Sequence, residues 1–330
     1  MVTPGVDRLT GQQVFLKCRP TNAGGQGTVA GARAWRGEEA ERAVAGSLHI
    51  LSPHITLNVA ASGVGSAGTG KGAPATCSVY ARAQGSVSEL LAAPGALSPQ
   101  DAIAVIRAVR AGIATMHEKG FAHRDIKHRN VLFFPEAQGE GRFRLADLDA
   151  AAVLGEEITE FMGMPWEVWV PNVQIGPWPT AVPSPEHARH LHSRWSLAAV
   201  PPLLASREAD WFQFGVLILE VICYRPVLAG RPGREVLADL AAQGPLRVPE
   251  CSAASRLGEA CAVSLQALAG ALLSKNASAR PGALDSLAAL RPCLPAPSRL
   301  HEHADRGGDG RAAGRAAEVA EDGEGAGVAG

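Results

Sequence analysis

Residues 123–130 read His-Arg-Asp-Ile-Lys-His-Arg-Asn, and this octapeptide limits the chain more than any other stretch of it. A carboxylate (Asp125), an ammonium (Lys127) and a carboxamide (Asn130) stand together on what the flanking sequence marks as a short loop. Before it, Ser98-Pro99-Gln100-Asp101 offers an N-cap followed by proline at the first helical position. Ala102 to His117 then carries apolar residues at helical spacing, with Gly120 as the stop. After the loop, VLFF (131–134) and FRLADL (143–148) are strand-like pieces on either side of a turn-rich QGEG.

Phosphoryl transfer from ATP requires groups of these three kinds. Asp125 can accept or orient the proton of an acceptor hydroxyl, Lys127 can contact the γ-phosphate, and Asn130 can ligate magnesium through its amide oxygen. The magnesium that bridges the phosphates needs a second carboxylate on a separate turn, and Asp147, after the strand-like FRLA, sits at the right remove.

On these residues the chain resembles the eukaryotic protein-kinase family from about Gly11 to Pro292. HRDIKHRN matches the family's H-R-D-x-K-x-x-N at every defined position, with Lys127 in the form typical of Ser/Thr kinases. Asp147-Leu148-Asp149 stands where the family has D-F-G, and Ser184-Pro185-Glu186 where it has A-P-E. Asp210-Trp211 with Gly215 resembles the buried helix that anchors the catalytic loop, and Arg280, in NASARP (276–281), the arginine that pairs with the A-P-E glutamate. The resemblance implies an α+β, bilobal protein-kinase-like fold. A small, partly incomplete β-rich N-lobe would span 1–84 and a larger α-helical C-lobe 85–294. From 295 to 330, Gly, Ala, Asp, Glu and Arg dominate, and the composition predicts a disordered tail.

Fewer positions match in the N-lobe. Lys17, in the strand-like VFLK, resembles the V-A-I-K lysine that contacts the α- and β-phosphates. Glu41, Val44, Ala45 and Leu48 share one face of a helical pattern over Gly37 to Leu51, which makes Glu41 the candidate partner of Lys17, with Glu38 and Glu39 as alternatives. HITLNV (54–59) is a strand candidate, Ala60 to Ala75 reads as a flexible loop, and Cys77 to Arg82 as another strand. Gly85-Ser86-Val87 resembles the G-S-L after the hinge, so Val79, Tyr80 and Ala81 are expected to meet adenine.

The family's glycine-rich loop has no counterpart among the 16 residues before Lys17, which reads either as a truncated N-terminus or as poorly covered phosphates. GVGSAG (63–68) fits G-x-G-x-x-G, but Gly72-Ala73-Pro74 stands where a P-loop needs Ser or Thr and a helix, so it reads as a plain loop. Gly24 to Val29 resembles the end of a glycine loop without a lysine at the proper distance.

In the C-lobe, Asp149 in place of glycine is expected to restrict the flip of its turn. The Pro- and Trp-rich stretch from Gly163 to about Pro202 reads as an irregular functional loop packed by Trp166, Trp169 and Trp178, with His187, His190 and His192 at its surface. Thr159, Thr180 or Ser184 could carry a phosphate clamped by Arg124. Helical segments resume at 209–223, 234–242, 259–273 and 281–290.

With 31 Lys and Arg against 32 Asp and Glu, no global charge favours nucleic acid or a membrane surface as partner. Six scattered cysteines without a CxxC pair, and no apolar run long enough to span a bilayer, point to a reducing, cytoplasmic setting. The leading expectation is a Ser/Thr protein kinase using ATP and Mg2+ on a protein hydroxyl. A pseudokinase that binds or scaffolds is the rival. A small-molecule phosphotransferase of the aminoglycoside or choline kind shares H-x-D-x-x-x-x-N but leaves Arg124, Ser184-Pro185-Glu186 and Arg280 unexplained.

Overall fold

Strand-forming residues open the chain. A computed structural model describes residues 2–6, 13–20, 60–65, 75–137, 139–158, 160–161, 164–165, 182–195, 202–225, 233–242, 244, 246 and 254–294. Strand β1 (Val2–Val6) pairs antiparallel with β2 (Gln13–Pro20), where Val14, Phe15 and Leu16 favour an extended backbone. Two further strands, β3 (Ala60–Gly65) and β4 (Ala75–Ala81), complete an antiparallel sheet of order β1-β2-β4-β3. Its register sets Leu16 opposite Val79 and Lys17 opposite Ser78. β3 corrects the expectation of a plain loop after Ala60. Its backbone pairs with β4 through a bulge between Ala60 and Gly63, and backbone pairing at an edge does not require large side chains. The helix expected over 37–51, the strand over 54–59 and the tail over 295–330 lie outside the described residues.

Beyond the sheet, β5 (Gly85–Ser86) leads into α1 (Val87–Ala92) and the long α2 (Pro99–Glu118). The Ser98 hydroxyl caps α2 by accepting from the Asp101 amide at 3.0 Å, and Gly120 ends the run with φ of 84°. Val105, Ile106, Val109, Ile113 and Met116 recur at helical spacing and are fully buried. Short strands follow: β6 (Phe121–Ala122), β7 (Val131–Phe133), β8 (Phe143–Leu145) and β9 (Ala152–Val153). β7 pairs with both β5 and β8, and β6 pairs with β9, so the loop between β6 and β7 is held at both ends.

The remaining described helices are α3 (Pro185–Trp195), α4 (Arg207–Cys223), α5 (Gly233–Ala241), α6 (Ala254–Leu257), α7 (Glu259–Leu272) and α8 (Ala283–Ala289). α4 is buried on every side from Ala209 to Ile222, as its nearly continuous apolar sequence requires. Each fully buried side chain such as Phe212, Phe214 or Ile218 contributes roughly 2 kcal/mol before ordering costs. α4 crosses α7 at Gly215, where a Cβ would lie 2.8 Å from the Leu272 Cβ. Helices packed with small sheets make the fold α+β, and the chain up to Cys293 forms one compact unit.

Two further expectations fail here. α3 occupies part of the stretch read as irregular, because Ser184 and Pro185 form a helix start rather than a loop. Cys261 and Cys293, 32 residues apart, form a disulfide with Cα atoms 4.6 Å apart, and Cys223 is disulfide-bonded as well. Scattered spacing therefore gives no ground for expecting reduced cysteines. Among the described residues no helix is long and apolar enough to cross a membrane.

Candidate active site

Asp210, in the first turn of α4 and fully buried, organises the loop between β6 and β7. Its carboxylate accepts the backbone amides of His123 and Arg124, each at 2.7 Å, and lies 2.9 Å from His117 Nε2. Burial alone would raise this carboxyl. The hydrogen bonds with His117 and from the Arg124 amide outweigh burial and hold it below the usual carboxylate range, so the anion persists. One helical turn on, Gln213 accepts from the Ile126 amide at 2.9 Å and donates to the Arg124 carbonyl at 3.2 Å. These bonds stabilise Arg124 at φ of 68°, a left-handed conformation that costs an L-residue on the order of 1 kcal/mol.

His123 links the loop to β8. Burial pushes its imidazole down, so it is neutral, and Nε2 donates to the Ala146 carbonyl at 3.1 Å while Nδ1 accepts from the Asp125 amide at 3.3 Å. Three expected residues then meet. Lys127 Nζ lies 2.9 and 2.7 Å from the two Asp125 carboxylate oxygens. Asn130 Nδ2 donates to both the Asp125 carbonyl and its Oδ2, each at 2.9 Å. Both amide hydrogens are thus committed to Asp125, which leaves the Asn130 amide oxygen as an acceptor.

Across the cleft, β2 carries Lys17 to the turn after β8, where its Nζ is 2.8 Å from Asp147 Oδ1 and 2.7 Å from Asp149 Oδ1. Burial would raise the Asp147 carboxyl, but Lys17, by its charge and hydrogen bond, together with Lys127 holds it below the usual range. Asp147 itself has φ of 66° and begins the short turn Leu148–Ala150. Sequence reading took Asp149 only as a lost glycine and missed its ion pair. The signal lay in the i, i+2 spacing of two aspartates around a tight turn. Glu41, with Glu38 and Glu39, lies outside the described residues.

A cavity of about 400 Å³ opens between the sheet and this loop, lined among others by Phe15, Lys17, Tyr80, Ala81, Leu132, Asn130 and Asp147. Its volume falls within the range of small-ligand sites. Of the hinge residues, Tyr80 and Ala81 line it, while Val79 pairs with Leu16 in the sheet.

Farther from the cavity, Arg280 binds Glu186 through two bonds of 2.7 and 2.8 Å. Ser184 is buried and hydrogen-bonded to His187 Nδ1 at 2.6 Å, which removes it as an accessible phosphosite. His187 and His190 are buried on α3 rather than at the surface. Thr159, Thr180, Trp166, Trp169 and Trp178 lie outside the described residues.

Residues 78–171 match the family model of the protein kinase domain. The serine/threonine-protein kinase pkn2 of Myxococcus xanthus is 30% identical over 195 residues, covering 59% of this chain and 20% of that protein. The serine/threonine-protein kinase PknL of Mycobacterium tuberculosis is 37% identical over 76 residues, 23% of this chain and 18% of that protein. A probable myosin light chain kinase of Dictyostelium discoideum is 28% identical over 130 residues, 39% of this chain and 31% of that protein. The chain spans about a fifth of the length of the two bacterial relatives.

Proposed function

We propose that the chain is a protein kinase, as the match of residues 78–171 to the protein kinase domain supports, and that it transfers the γ-phosphoryl group of Mg-ATP to serine or threonine hydroxyls of proteins. One observation carries the reading: a buried aspartate, Asp125, is clasped by an ammonium and a carboxamide beside a cavity of nucleotide size. Asp125 takes the acceptor hydroxyl's proton as the oxygen attacks phosphorus. Lys127 holds Asp125 at rest and reaches the transferred phosphoryl group in the reaction. Lys17 contacts the α- and β-phosphates, with Glu41 as a proposed second partner, while Val79, Tyr80 and Ala81 border the adenine.

The chemistry of the donors fits a hard cation: the carboxylate of Asp147, ionised by its surroundings, and the free amide oxygen of Asn130. Magnesium held there would neutralise phosphate charge. Threonine and serine acceptors are supported by Lys127 and by the likeness to two bacterial serine/threonine-protein kinases.

A second reading, a nucleotide-binding module without turnover, is favoured by the contact of Lys127 with both Asp125 oxygens, which occupies the ammonium needed at the phosphate. A radiolabel transfer assay decides between them. Wild type should label a protein acceptor, and Asp125→Asn should lower the rate roughly 10²- to 10⁴-fold with an unchanged melting temperature. No labelling by wild type, alongside stabilisation by Mg-ATP in a thermal shift, supports the module instead.

A further inference from the structure

Lys17 is flanked by two carboxylates from a single turn, and the second is the closer: 2.7 Å to Asp149 against 2.8 Å to Asp147. Sequence spacing gives the task of holding this lysine to Glu41. We propose that Asp149 is a positioning residue that fixes Lys17 at the cavity wall, so that the residue occupying the glycine position of D-F-G does work glycine cannot do.

The turn is built to hold Asp149 in that place. Leu148 is buried, the Ala151 amide donates to the Leu148 carbonyl at 3.0 Å, and Arg124 Nη1 donates to the Ala150 carbonyl at 3.0 Å. A side chain on a turn pinned at three points loses little further freedom when it binds an ammonium. Because Asp147 and Asp149 are two residues apart on that turn, setting the first carboxylate also sets the second. Lys17 and Asp147 are therefore placed in one event.

Two carboxylates in contact with the ammonium occupy its donors and shield it, whereas acylation needs an accessible amine. The geometry can thus be tested on the full chain without turnover. Trace acylation of lysines by an N-hydroxysuccinimide ester, read at Lys17 by mass spectrometry, should run about 3- to 10-fold faster in Asp149→Asn than in wild type, with other lysines as internal references. Asp149→Glu should restore slow labelling, and Glu41→Gln should accelerate it less than Asp149→Asn does. The effect on catalysis rests on the proposed kinase reading: kcat/KM for ATP should fall about 10- to 100-fold in Asp149→Asn, mainly through KM, with partial recovery in Asp149→Glu. Unchanged Lys17 labelling in Asp149→Asn, or a larger change in Glu41→Gln, overturns the assignment. Faster labelling in a protein that transfers no phosphate upholds the positioning role and refutes the kinase reading.

Discussion

The guanidinium of Arg280 meets the carboxylate of Glu186 in a two-pronged pair spanning 94 residues of sequence. The same guanidinium donates to the carbonyls of Ser274 and Glu208 and stacks over the Phe212 ring, 5.1 Å from its centroid. One side chain thereby ties α3, α4 and the segment before α8 together. Burial would raise the Glu186 carboxyl, but Arg280 overcomes that and keeps it ionised. Removing one member leaves the other buried and unmatched, so Arg280→Ala should destabilise the chain by about 3–5 kcal/mol. Arg280→Lys keeps the charge and loses the fork, and should recover only part of that. Urea unfolding of the three proteins measures the difference; equal midpoints would show that the pair contributes nothing.

Gly215 sits where α4 and α7 touch. Glycine to alanine in a helix ordinarily stabilises, by roughly 0.5–1 kcal/mol. Here the added methyl would meet the Leu272 Cβ at 2.8 Å and the Leu273 Cγ at 3.3 Å. A Cβ cannot rotate away, so the helices must separate, and the sign should reverse to a loss of about 1–3 kcal/mol. A higher melting temperature in Gly215→Ala would show that this crossing has slack.

These two contacts show what sequence spacing conveys and what it hides. Arg280 and Glu186 were legible because each sits in a short motif whose order along the chain is fixed, as do Asp125, Lys127 and Asn130. His117 was not, since a histidine near the end of an amphipathic helix reads the same whether it faces solvent or Asp210. α3 was obscured by its prolines and histidines, although Ser184-Pro185-Glu186 carries the cap, the first-position proline and the early acid of a helix start. The Cys261–Cys293 bond depends on α7 and the segment after α8 coming together, which a separation of 32 residues does not reveal.

Asp210 supports the loop between β6 and β7 through the backbone amides of His123 and Arg124. Asp210→Asn keeps the shape and removes the charge, and its NH2 would face an amide donor. We expect destabilisation on the order of 3 kcal/mol and loss of phosphate transfer even under conditions where the variant is folded. Comparing near-ultraviolet circular dichroism with the transfer rate separates the two effects. Wild-type transfer in a folded Asp210→Asn would mean that the loop holds its geometry unaided.

Buried histidines make stability depend on acidity, His123 in the same direction as the two that follow. Burial pushes His187 down to about 4, and burial with the charges of Lys127 and Arg129 does the same to His128. Glu220 Oε2, 3.5 Å from His128 Nε2, pulls the other way but does not prevail. Unfolded, both rings titrate near 6.5. Between those values the unfolded chain binds protons that the folded chain refuses, so stability falls as pH drops from about 6.5 to 4 and levels off below. Each ring should cost roughly 2 kcal/mol between pH 7 and pH 5. The depressed carboxyls of Asp147, Glu186 and Asp210 act in the same direction, but only below the ordinary carboxylate range. Urea midpoints at pH 7, 6 and 5 should therefore decline in wild type and decline less steeply in His128→Gln. A pH-independent midpoint over that interval would mean that neither ring is kept neutral by the fold.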